Sequence, residues 1–77
     1  MEDIFKLLET LRPEFDFRNS NNYIEDGFLD SFDVVNIVSE IENTYGIVVD
    51  ALDIVPENFV SVEVIVKMIE KNGGKVL

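Results

Sequence analysis

Within residues 3–11, the apolar side chains Ile4, Leu7, Leu8 and Leu11 recur at i, i+3, i+4 and i+7, the spacing of one helical face. This predicts a first helix, which Pro13 ends by biasing Arg12 away from helical angles. Residues 14–30 hold no sustained period and include the polar run Asn19, Ser20, Asn21, Asn22. So long a connection in so small a chain has to be packed by its own side chains. Phe15, Phe17, Tyr23, Ile24, Phe28 and Leu29 can do this, so the expectation is a long ordered loop crossing the bundle.

The helical period returns at Ser31, with Val34, Ile37, Val38, Ile41 and Tyr45 on one face, Asp30 and Ser31 both suited to cap the start, and Gly46 placed to end the helix. Ile47-Val48-Val49 is strand-like, but no second such run offers a partner. It reads as an extended connection into a short helical turn over residues 50–55. The last helix starts after Ser61 as cap and carries Val62, Ile65, Val66 and Ile69, with Lys67 and Lys71 complementing its dipole and Gly73-Gly74 stopping it. The expected fold class is all-α: a small antiparallel four-helix bundle of three main helices and one short one, forming a single domain over residues 1–77.

Composition narrows the function. The 77 residues include no Cys, His or Trp. That removes a thiolate nucleophile, an imidazole base and the commonest metal ligands, so no metal site is expected and the chain does not read as an enzyme. No apolar run is long enough to span a bilayer, and Met1-Glu2-Asp3 is acidic where a signal peptide would be basic, which suggests a cytoplasmic protein.

Sixteen acidic side chains face six basic ones, giving a net charge of −10. No Lys or Arg lies between Asn19 and Val66, a stretch with ten carboxylates that account for the whole excess. Such a surface repels nucleic acid and anionic lipid and favours basic partners. On a helical wheel of residues 32–43, Phe32, Asn36, Ser39 and Asn43 lie opposite the core stripe, with Val35 on its flank. Scattered exposed apolar residues need no explanation; the alternative is that Phe32 and Val35, ringed by Asp30, Asp33, Glu40 and Glu42, form a small docking patch for a basic-rimmed partner.

The sharpest local feature is Gly27-Phe28-Leu29-Asp30-Ser31-Phe32-Asp33, which puts a serine where the long loop becomes a helix. Ser31 can act as a simple cap. Its hydroxyl can equally carry a phosphodiester beside the free amides and positive dipole end of the helix.

On these residues the sequence resembles the acyl carrier protein family, whose Asp-Ser-Leu or Asp-Ser-Met motif stands here as Asp30-Ser31-Phe32. The likeness extends from about Ile4 to Lys71, through the Tyr45-Gly46-Ile47 helix exit and the Pro56-Glu57-Asn58-Phe59 lead into the last helix. It implies that Ser31, with Asp30 beside it, accepts 4′-phosphopantetheine from coenzyme A through a holo-synthase, a magnesium-requiring phosphopantetheinyl transferase. The arm would then hold an acyl or aminoacyl group as a thioester. The resemblance also implies docking by Phe32, Asp33, Val35, Asn36, Ser39, Glu42 and Asn43, and a partial cargo shelter near Val38, Ile41, Phe59, Val62 and Val66.

Asn36, Ser39 and Asn43 depart from the Glu, Met and Glu usual in fatty-acid carriers, and Phe32 from Leu or Met. The expectation is therefore a monomeric carrier in a specialised pathway, working with an adenylating ligase and downstream acyl-processing enzymes. Fatty-acid synthesis is the runner-up, and an unmodified acidic adaptor shares the same surface. A calcium loop fails: with Gly27 at its sixth position, Ile24 falls where a ligand is required.

Overall fold

Ile4 and Leu8 stand one helical turn apart, and both are sealed from solvent against the other two helices. In the computed structural model, which describes residues 1–76, this first helix is α1 (Glu2–Leu11), followed by α2 (Ser31–Tyr45) and α3 (Val62–Lys71). Three 3-10 turns, Phe17–Asn19, Ala51–Asp53 and Pro56–Phe59, occupy the connections, and no strand is present among the described residues. Leu77, the last residue of the expected 1–77 domain, lies outside them. The fold is all-helical and compact, with a radius of gyration of 11.2 Å.

α1 packs on both α2 and α3, and the Pro56–Phe59 turn packs on α2 and α3 in turn. Phe59 is the centre of that bridge and is fully buried. Where a short fourth helix is expected, over residues 50–55, the chain makes only the 3-10 turn Ala51–Asp53, and a second such turn, Pro56–Phe59, follows it. Asp50 caps the first, its Oδ1 accepting the Leu52 N–H at 2.9 Å, while Pro56 opens the second, where a missing N–H costs nothing.

The long loop between α1 and α2 is packed as its aromatic content requires. Phe17 and Tyr23 are buried with rings edge-on at 5.1 Å, and Phe15 stacks on Phe28 at 4.5 Å. The Tyr23 N–H donates to the Val60 carbonyl at 2.9 Å, joining this loop to the second connection. Gly46 ends α2 in the left-handed region, at φ 65°, where a side chain would be strained; its N–H donates to the Glu42 carbonyl.

The core stripes are shifted slightly from their expected positions. On α3 the buried residues are Val62, Ile65, Met68 and Ile69, with Val66 only half-buried, so the stripe is turned toward Met68. A carboxylate, Asp53, is also almost fully enclosed. It accepts from Lys71 Nζ at 2.7 Å and Asn72 Nδ2 at 3.0 Å, tying the second connection to the end of α3.

Candidate functional site at the start of the second helix

Asp30 precedes α2 with extended backbone angles, and its Oδ1 accepts the Asp33 N–H at 2.9 Å. Asp33 answers, its Oδ2 accepting the Asp30 N–H at 3.1 Å. This is a reciprocal capping box in which the shorter Asp stands where Glu or Gln is usual. It fixes the backbone on both sides of Ser31. As the first helical residue rather than the cap, Ser31 is exposed, and its hydroxyl has no hydrogen-bond partner among the described residues. The amides of Ser31 and Phe32 precede the first intrahelical bond, Val34 N–H to Asp30 carbonyl at 3.0 Å, and have no backbone partner. An anion attached to Ser31 would find these donors and the positive end of α2 beside it.

Asp33 has a second attachment that the helical period does not reveal. Arg12, just past the end of α1, sets a fork on it: Nε donates to Oδ1 and one terminal nitrogen donates to Oδ2, both at 3.0 Å. Only 4% exposed, Asp33 therefore belongs to the interior and not to the rim of a docking patch, a correction to its expected role. Its carboxyl is pushed up by burial, but the bonds from Arg12 and the Asp30 amide outweigh this and hold it below the ordinary carboxylate range. Arg12 also lies 3.6 Å from Glu14 and 3.9 Å from Asp30.

The rest of the expected docking face is largely outward. Phe32 is 73% exposed and Val35 61%, with Ser39 and Asn43 exposed and Asn36 half-buried. Glu42 is committed elsewhere: half-buried, its Oε2 accepts the Val49 N–H at 3.0 Å and shapes the turn after α2. It is not a free rim charge.

The expected cargo shelter is brought together, but as packed core. Val38, Ile41, Phe59 and Val62 are buried side chains of the central cluster, and Val66 packs on its edge. Larger clefts lie between α1 and the end of α2, about 340 Å³, and beside Asp53 and Lys71, about 220 Å³, but neither reaches the serine. A shallow cleft of about 180 Å³ is lined by Ser31, Val34, Val35, Ile54 and Pro56. Ile54 and Pro56 had no periodic signal; only the return of the second connection toward the start of α2 places them here.

No group of three or more acidic, His or Cys side chains among the described residues is arranged to hold a metal ion. No helix among them is long and apolar enough to cross a membrane. Searches of known family models, curated proteins and solved structures yield no match to this chain.

Proposed function

We propose that the chain is a carrier domain whose Ser31 bears a 4′-phosphopantetheine arm holding an acyl or aminoacyl group as a thioester. One observation carries this reading: an exposed, unbonded serine hydroxyl is held at the first residue of a helix, beside two free amides and an apolar cleft. The residues fit the group. The free amides of Ser31 and Phe32 suit a phosphodiester, and Val35, Ile54 and Pro56 offer apolar contact to the arm that follows.

In the modifying reaction, Ser31 Oγ forms a bond to the phosphorus nearest the pantetheine of coenzyme A. The bond from that phosphorus to the adenosine bisphosphate breaks, and the hydroxyl proton passes to the transferase. The arm supplies the thiol chemistry when bound; the chain supplies position and recognition. Phe32 and Val35 form the apolar centre of the docking face, with Asn36, Ser39 and Asn43 beside it. The net charge of −10 selects partners with basic surfaces, among them the transferase and an adenylating ligase.

In this reading the Ala51–Asp53 and Pro56–Phe59 turns take the place of the short member of an antiparallel four-helix carrier bundle. The protein works as a cytoplasmic monomer without catalytic residues of its own. A specialised pathway is favoured over fatty-acid synthesis by the uncharged Asn36, Ser39 and Asn43 on the outward face. Intact mass after incubation with coenzyme A, magnesium and a broad-specificity transferase tests the reading. The wild-type chain gains one phosphopantetheinyl unit and Ser31→Ala gains none. A wild-type mass unchanged with several such enzymes, alongside tight binding of another protein to the acidic face, leaves the adaptor instead.

A further inference from the structure

We infer that Arg12 is a positioning residue for modification of Ser31, acting through Asp33 from the far end of the loop. The inference rests on the carrier reading and adds a residue that touches neither the serine nor the docking face. Its basis is the way one carboxylate is shared. Asp33 Oδ2 accepts both the Asp30 N–H and a terminal nitrogen of Arg12, while Oδ1 accepts Arg12 Nε. Asp33 therefore joins the end of α1, twenty-one residues back in sequence, to the backbone immediately before Ser31. A planar fork fixes the carboxylate in both distance and rotation, whereas an ammonium would fix distance alone.

The same guanidinium has Asp30 within 3.9 Å and Glu14 within 3.6 Å, so it also gathers the acidic groups that would otherwise repel one another around the helix start. Without Arg12, Asp33 keeps only the Asp30 amide, and its charge is left nearly buried beside Asp30. The first turn of α2 then loosens, and Ser31 Oγ samples positions away from the one a transferase must meet. Because attack on phosphorus depends on near-attack placement, looseness at the nucleophile lowers rate even when the rest of the protein stays folded.

The test compares initial rates of phosphopantetheine transfer to wild type, Arg12→Gln, Arg12→Lys, Asp33→Asn and the Arg12→Gln/Asp33→Asn double variant. All are assayed well below their melting temperatures, with Lys75→Gln as a control for loss of one exposed cation. The expected result is that kcat/KM falls about tenfold in Arg12→Gln, with kcat contributing to the fall, and less in Arg12→Lys. The double variant is no slower than the worse single one, because both break the same link. Amide hydrogen exchange in the unmodified chains rises at Val34, the first residue bonded within α2, in step with the rate losses and with little change in the middle of α3.

If Arg12→Gln fails to fold, Arg12→Lys and the exchange data still decide the matter. Rates equal to wild type in folded Arg12 variants overturn the positioning role while leaving the carrier reading intact. Additive losses in the double variant overturn it as well. A wild-type chain that no transferase modifies removes the carrier reading, and the positioning role goes with it.

Discussion

Both faces of α2 carry apolar side chains, with opposite duties. Inward, Val34, Ile37, Val38 and Ile41 are buried; outward, Phe32 and Val35 are exposed although they are no less apolar. Valine stands on both faces, at 34 and at 35, so hydrophobicity alone cannot tell them apart; position in the 3.6-residue period can. The inward face holds the fold together and tolerates little change, while the outward face contributes almost nothing to stability and is free to serve recognition. Asp33 sits on the boundary, charged like the outer face and enclosed like the inner one.

The largest effect is expected on the inward side. Ile41→Ala removes a fully buried side chain and should cost about 3 kcal/mol of stability, read by urea denaturation. Folded Ile41→Ala should still accept the arm on Ser31. A cost below about 0.5 kcal/mol would mean that the inward face does not carry the fold.

The boundary residue comes next. Asp33→Asn gives up charge-assisted bonds in the capping box and should cost about 1–2 kcal/mol at neutral pH. Its pH dependence is a sharper test. Because the folded-state carboxyl lies below its ordinary value, the Asp33 contribution is fully present above the unfolded carboxylate pKa and is lost as pH falls through the depressed folded value. Asp53 is also depressed, by its bonds from Lys71 and Asn72, and adds a similar slope to both chains. Wild type and Asp33→Asn should therefore converge in stability as acid is added. A constant difference between them down to the lowest pH at which both fold would contradict the burial and pairing of Asp33.

The smallest stability effect is expected on the outward side. Phe32→Ala and Val35→Ala should each change stability by less than about 0.5 kcal/mol, since neither side chain is enclosed. Both should nonetheless weaken docking of the transferase, seen as a raised KM. A large loss of stability in either variant would place these side chains in the fold, and an unchanged KM would remove them from the docking face.

Much of this division is legible in the amino-acid sequence. Spacing places α1, α2 and α3 within a residue or two, Gly46 marks the end of α2, and the aromatic content of residues 15–29 anticipates a packed loop. What stays hidden is what depends on distant partners. Periodicity assigns a charged residue such as Asp33 to the solvent side, and nothing local indicates that Arg12 comes round to pair with it. Glu42 escapes for the same reason, as its partner is a backbone amide at Val49. The exchange of Val66 for Met68 in the core of α3 is a small rotation of the stripe, to which a flexible methionine adapts readily. Ile54 and Pro56 line the cleft by Ser31 only because the second connection folds back along α2, a tertiary fact without a sequence period.

In the carrier reading one particular hydroxyl, that of Ser31, is the attachment point. Trypsin leaves residues 19–67 as a single peptide, because no Lys or Arg interrupts it, and that peptide contains all four serines: Ser20, Ser31, Ser39 and Ser61. The most direct measurement is therefore fragmentation mass spectrometry of this peptide after treatment with transferase and coenzyme A, to assign the added group to one residue. A single phosphopantetheinyl unit is expected, on Ser31. A modification on any of the other three serines, or an unmodified peptide, would contradict it.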